Sequence, residues 1–220
     1  MANKINYLDY IKNLMLFRIR MAFNMDIDVR KPDSNGLTLL MYAVFFNNMD
    51  FAQKLIDMGS DVDAGDRGGR TALIYAALGN LVQIADLLLA SGAGIEVCEK
   101  SGGTPLIASA FRNSADMAKL LIEKGADLNR RTVLGETALM WAANRDSYEV
   151  AGLLIKSRAD IDLREKTGST ALMIAVFRNS FSVAELLIEN GAGRNLRNNA
   201  GMTPESLARS ARMKELFSKR

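Results

Sequence analysis

Apolar and polar positions along this chain repeat on a fixed period. Thr38, Thr71, Thr104, Thr137, Thr170 and Thr203 stand at intervals of 33 residues without a slip. The first five are each followed, two residues on, by Leu40, Leu73, Leu106, Leu139 and Leu172, and seventeen residues on by Leu55, Leu88, Leu121, Leu154 and Leu187. Gly69, Gly102, Gly135, Gly168 and Gly201 come thirty-one residues after them. Five copies in one register define a repeat protein, in which each unit packs only on its neighbours.

Each unit predicts helix, turn, helix and loop. Thr is a good N-cap, and Pro105 and Pro204 take the next position, where a missing N–H costs nothing. The first helix is short and small-faced, as in "TALIYAALG". Nine residues after each Thr stands Asn47, Asn80, Asn113, Asp146 or Asn179, residue types that tolerate the left-handed conformation of a tight interhelical turn. Ser114, Ser147 and Ser180 are placed to cap the second helix, with Asp116 and Glu149 in its first turn. That helix carries the second Leu row and an unbroken Ala row, Ala52, Ala85, Ala118, Ala151 and Ala184, which predicts close helix approach. Gly59, Gly92, Gly125 and Gly191 supply its left-handed C-cap, and Arg158 stands in the fourth copy, predicting an altered turn there.

The ends differ from the repeat. Leu8, Ile11, Met15 and Ile19 make an amphipathic pattern, and "DIDVR" at Asp26–Arg30 resembles "SDVDA" one period later, so residues 1–35 are expected to form a degenerate capping repeat. A membrane-surface helix is the other reading of that segment. Residues 202–220, ending "SLARSARMKELFSKR", carry the charges of a solvent-facing C-terminal cap.

The unit "GGTPLIASAFRNSADMAKLLIEKGADLNRRT" resembles an ankyrin repeat in its T-P-L opening, paired short helices, L-L-I run, G-A-D and 33-residue period. The resemblance covers residues 36–201 as five full repeats. It implies an all-α solenoid of stacked helix–turn–helix units with loop or β-hairpin tips. Where the family often has His after T-P-L, this chain has Met41, Ile74, Ile107, Met140 and Met173, side chains expected to pack in the core. The resemblance also implies that partners engage the concave surface made by the first helices and the loop tips before them.

On that surface, eight residues after each Thr, stand Phe46, Gly79, Arg112, Arg145 and Arg178; seven residues after, Phe45, Leu78, Phe111, Asn144 and Phe177. Four residues after stand Tyr42, Tyr75, Ala108, Trp141 and Ile174, and the tips add Arg67, Arg70, Lys100 and Lys166. Trp, Tyr and Arg are the types enriched in binding hot spots. The candidate partner-binding set is therefore Tyr42, Phe45, Phe46, Tyr75, Leu78, Phe111, Arg112, Trp141, Arg145, Phe177 and Arg178. The expected partner is another protein, through an acidic and hydrophobic segment whose acidic end lies over the C-terminal repeats. Against this, the Phe residues could fill the inter-repeat core, and the arginines could pair with Asp146, Glu136 or Glu165. A second ladder, Arg131, Arg164 and Arg197, with Arg130 and Arg194 beside it, supports an alternative: a polyanion or nucleic acid held by stacked arginines.

Composition narrows the chemistry. The chain has no His, which excludes His-dependent triads and His-containing zinc sites, and one Cys, Cys98, which excludes an internal disulfide and fits a reducing compartment. Phosphate-loop and nucleophile-elbow motifs are absent. "GDRGG" ends at the periodic Gly69 and reads as a turn. Asp61, Asp63 and Asp66 resemble a calcium-loop fragment without its closing Glu. The 12 Met residues read mainly as core. A non-catalytic, cofactor-free monomer is expected. Residues 1–110 are net −2 and residues 111–220 net +5, too mild a bias for a committed nucleic-acid binder. Asp9, Lys12, Arg18 and Arg20 interrupt the N-terminal apolar stretch, so neither a membrane span nor a signal sequence is expected; a cytoplasmic protein is, with an export signal outside this sequence left open.

Overall fold

A computed structural model describes residues 28–218. The helices come in pairs: α1 (Leu39–Phe45) with α2 (Met49–Asp57), α3 (Ala72–Leu78) with α4 (Val82–Ala90), and α5 (Pro105–Arg112) with α6 (Ala115–Glu123). Then follow α7 (Ala138–Arg145) with α8 (Tyr148–Lys156), α9 (Ala171–Arg178) with α10 (Phe181–Glu189), and the closing α11 (Pro204–Leu207) and α12 (Ala211–Ser218). The capping helix expected from Leu8 to Ile19 lies outside the described residues.

Local chemistry sets the helix ends. Thr38, Thr71, Thr104, Thr137 and Thr170 each accept the N–H three residues on, from Met41, Ile74, Ile107, Met140 and Met173, at 3.2–3.4 Å. Those five apolar side chains are buried, as the sequence predicts. Asn47, Asn80, Asn113, Asp146 and Asn179 all turn left-handed, with φ between 49° and 59°. Arg158 does the same at φ 71°, where the other copies have glycine.

The serine caps differ from expectation. Ser114, Ser147 and Ser180 occupy the N-cap position, but none accepts a cap hydrogen bond through its side chain. Their backbone turns tightly, with ψ of 76–85° against 163–170° for the Thr caps, and the short hydroxyl no longer reaches the helix N–H groups. Asn48, with a longer side chain at the same position of the first pair, does cap, accepting from Phe51 N–H at 3.0 Å. Ser147 instead donates across the repeat boundary to the Ala110 carbonyl at 3.4 Å.

Both Leu rows and the Ala row are buried, and odd-numbered helices pack on odd, even on even. No isolated helix of this length is stable in water, so stacking is what holds each pair folded. The odd helices lie closer to one another than the even ones do, which curves the array towards them. Small residues permit the approach: Ala43, Ala76, Ser109, Ala142 and Ala175, at one position of α1, α3, α5, α7 and α9, are fully buried.

The tips are tight turns, with no strand among the described residues. In the second, Asp66 N–H donates to the Arg70 carbonyl at 3.0 Å and Gly69 N–H to the Asp66 carbonyl at 2.9 Å. One backbone bond joins each tip to the one before: Arg67 to Asn35, Lys100 to Gly68, Val133 to Ser101, Lys166 to Leu134 and Asn199 to Thr167, at 2.7–3.1 Å. A single bond per pair aligns the tips without making a sheet. Carboxylates add a second set of stitches: Asp63 accepts Gly94 N–H, Glu96 accepts Asp127 N–H and Asp162 accepts Gly193 N–H, each at 2.8–2.9 Å. The calcium-like Asp61, Asp63 and Asp66 each accept from backbone N–H groups, and no cluster of three or more Cys, Asp or Glu placed to hold a metal ion occurs among the described residues. In the last pair Met213 and Leu216 face inward, with Arg212, Lys214 and Glu215 exposed. No described helix is long and apolar enough to cross a membrane.

Candidate functional site

The concave face joins the odd helices to the tips, and the sequence-predicted residues fall on it in three groups. At the N-terminal end Phe45 lies between two tyrosines at tilted angles, with ring centroids 6.1 Å from Tyr42 and 4.5 Å from Tyr75. Each tyrosine is tethered: Tyr42 donates to Asp33 at 2.6 Å and Tyr75 to Asp66 at 2.5 Å. Burial acts to raise the Asp66 pKa, but donation from Tyr75, from the Gly68 and Arg70 N–H groups and the Arg70 charge outweigh it, leaving the carboxyl below its ordinary value. Phe46 sits apart at the C-cap of α1, half-buried and outside these ring contacts.

The centre is a pocket of about 570 Å³ over Ala108, lined by Leu78, Phe111 and Trp141 among the predicted residues. Phe111 and Trp141 meet edge to face, with centroids 5.4 Å apart. A smaller pocket of about 330 Å³ continues from Trp141 to Asn144, Phe177 and Arg178. Glu136 and Trp141 line both, so the two form one groove. Phe177, 47% exposed, and Phe111, half-buried, line this groove, while Phe45, 48% exposed, stands outside it against the two tyrosines, so none of the three rings is wholly absorbed by the inter-repeat core.

The first arginine ladder edges this groove. Arg112 donates through Nε to the Leu78 carbonyl at 3.1 Å. Arg145 lies over the Phe111 ring, 4.9 Å from its centroid, and Arg178 over Phe177 at 5.9 Å, with Arg209 over the same ring at 4.8 Å. None of the four forms an ion pair among the described residues; Asp146, Glu136 and Glu165 do not neutralise them. Cation–π contact orients a guanidinium but leaves its charge.

The second ladder has a different fate. Arg131, Arg164 and Arg197 each donate to the glycine carbonyl four residues on, Gly135, Gly168 and Gly201, at 2.8–3.2 Å. Arg131 also donates to the Arg164 carbonyl. These side chains brace the tips.

Several groove residues carried no sequence signal by residue type. Ala108 is the small member of an otherwise bulky row, and Val133 and Leu134 are apolar in tip positions that are otherwise polar or small; both are 57% exposed. Glu136 has its pKa raised by burial, with Glu165 adding repulsion and the Thr132 hydroxyl and Trp141 indole opposing. The Trp141 Nε1 is buried without a hydrogen-bond partner, directed at Glu136 from outside bonding geometry. Periodicity could have flagged Ala108, Val133 and Leu134 as departures from their own rows, but not Glu136, whose row shares no residue type.

No curated protein matches the sequence. Among solved structures the chain is similar to the ankyrin repeat domain of Bcl-3, described as a unique member of the IkappaB protein family. The two share 24% identity over 94% of this chain and 95% of that one, with a TM-score of 0.81, a likeness of fold. The family description "Ankyrin repeats (3 copies)" matches residues 1–99, 79–165 and 153–217. The helix pairs, the 33-residue register and this match over almost the whole sequence agree: the chain belongs to the ankyrin-repeat family.

Proposed function

We propose that this chain is a non-catalytic interaction module that docks an acidic, apolar segment of another protein in its concave groove. Ankyrin repeats are in general protein–protein interaction modules, which supports the coarse part of the reading. The observation that carries the finer part is the ladder Arg112, Arg145 and Arg178, positioned by a carbonyl and two ring faces yet paired with no carboxylate among the described residues. Cations held in place beside exposed aromatic rings fit a partner that brings both acid and apolar surface. The acidic end of that segment lies over the C-terminal repeats, where the ladder stands. A rigid stack loses little freedom on binding. The reading takes the chain as a monomer acting in the cytoplasm.

A peptide library selected on the wild-type chain tests it. Enriched acidic peptides should lose affinity on an Arg112→Glu/Arg145→Glu/Arg178→Glu variant, and their binding to wild type should weaken as salt is added. Affinity and salt dependence unchanged by the triple reversal would overturn the reading. Single-stranded DNA and heparin serve as the polyanion arm. That alternative drew on two ladders, and the second is tied to glycine carbonyls.

A further inference from the structure

We propose that the pocket over Ala108 is the anchor point of the groove, taking one large apolar side chain, aromatic or leucine, from an acidic segment whose carboxylates flank it. This rests on the protein-binding reading above and specifies where such a segment is gripped.

Two departures from periodicity, in different rows, meet at this one place. Four residues after each repeat Thr stand Tyr42, Tyr75, Ala108, Trp141 and Ile174, and only Ala108 lacks bulk. The volume it vacates lies between α3 and α7, floored by Ile74, Leu78, Ile107 and Phe111. At about 570 Å³ it is within the range of ligand pockets. The second departure is at the rim. The tip row reads Arg67, Lys100, Val133, Lys166 and Asn199, so one apolar residue interrupts a polar series, and Leu134 follows it. Both lie on the pocket wall and are 57% exposed, a placement that stacking of the tips does not require.

Charge says what the occupant carries beside its apolar group. Arg112 is fixed to the carbonyl of Leu78 and Arg145 to the ring of Phe111, two residues that line the pocket, so both cations stand at its edge without a carboxylate. Inside, Glu99 is compensated by Arg70 at 2.8 Å, and Glu136 accepts from the Thr132 hydroxyl at 3.3 Å. A buried acidic side chain would be repelled there, and an apolar one with acids outside is accommodated.

The repeat itself supplies the blocking variant. Ala108 stands nine residues after Glu99, as Tyr42 stands nine after Asp33 and Tyr75 nine after Asp66. Ala108→Tyr therefore places in the third unit a side chain whose register and hydroxyl partner the first two already show. It fills the pocket from within.

The probe is a random peptide library of roughly 12 residues, selected on the wild-type chain, with enriched peptides resynthesised and titrated. Trp141 is the single tryptophan of the chain and lines the pocket, so its emission reports occupancy. The expected peptides carry an aromatic residue or leucine next to Asp or Glu. They shift Trp141 emission and weaken about tenfold or more on Ala108→Tyr, which melts no lower than wild type. Replacing their apolar residue with Ala gives a similar loss on the wild-type chain, a measurement that stands even if Ala108→Tyr folds poorly. Peptides that bind Ala108→Tyr at full affinity but fail on Arg112→Glu/Arg145→Glu overturn the anchor and leave the groove reading intact. Indifference to both variants sinks both readings. A selection that returns no peptide with a large apolar residue overturns the anchor, as does a concentration-dependent dimer abolished by Ala108→Tyr, which would name a second copy as occupant.

Discussion

Tyr75 donates its hydroxyl to the Asp66 carboxylate at 2.5 Å, and that carboxylate also accepts the N–H groups of Gly68 and Arg70 at 2.7 and 2.9 Å. One side chain thus ties a helix of the concave face to the turn of the tip that precedes it. Tyr42 and Asp33 make the same tie one repeat earlier.

The tie should be worth measurable stability. Tyr75→Phe leaves the ring and removes the donor, at a cost of about 1 kcal/mol, or about 3 °C in Tm for a chain of this size. Asp66 titrates below its ordinary 3.8 in the folded chain, so the stability it contributes is present above that value and is lost as pH falls through the folded pKa. The deficit of Tyr75→Phe, followed by circular dichroism, should therefore be full at neutral pH and shrink in acid. A deficit that persists in acid would assign the effect to packing.

Glu136 has the opposite sign. Burial first, and Glu165 second, raise its pKa above the ordinary 4.5, so its charge weakens the fold as pH rises through the raised value. Glu136→Gln should melt about 2 °C higher than wild type at neutral pH and equal to it below the ordinary value, where both side chains are neutral. Equal melting at neutral pH would show that solvent screens the charge.

Arg158 occupies a left-handed turn at φ 71°, where four other repeats use glycine. A side chain there costs about 1–2 kcal/mol, partly offset by the greater entropy glycine loses on folding. Arg158→Gly should raise Tm by about 2 °C without altering peptide binding, since the turn lies at the far end of α8 from the groove. A lower Tm would mean that Arg158 makes a stabilising interaction.

Two glycines separate backbone freedom from close approach. Gly102 and Gly125 both turn left-handed, at φ 83° and 87°. A Cβ on Gly125 meets nothing within 4 Å, whereas one on Gly102 would stand 2.9 Å from Thr132 Cα and Val133 N in the next tip. Gly125→Ala should cost about 1 kcal/mol from φ alone, and Gly102→Ala about 1–3 kcal/mol more from overpacking. Equal denaturant midpoints for the two variants would show that the tips part freely.

The helix pairs were legible because their signals are local. A Thr oxygen reaches an N–H three residues away, and an Asn adopts its left-handed turn within one residue, so five repetitions in register leave little choice. The serines were placed correctly at the N-cap but credited with a bond they do not make, because at ψ of 76–85° the short hydroxyl does not reach the helix N–H groups. The candidate groove was half legible. Phe111, Trp141 and Phe177 were found by residue type, while Ala108, Val133 and Leu134 contribute by absence of bulk or by exposure.

By itself the sequence determined the period, the helix ends, the buried rows and the apolar substitute for histidine, all properties of neighbours within a turn or two. Tertiary structure alone decided the use of the two arginine ladders. Arg131, Arg164 and Arg197 have a glycine carbonyl within reach in their own tips, which holds these side chains along the tips. Arg112 and Arg145 instead reach a carbonyl and a ring one repeat away, contacts that lay them along the groove. Side chains of one type and one spacing part company because one ladder finds its carbonyl four residues on in its own tip, whereas Arg112 and Arg145 find their contacts in the preceding repeat.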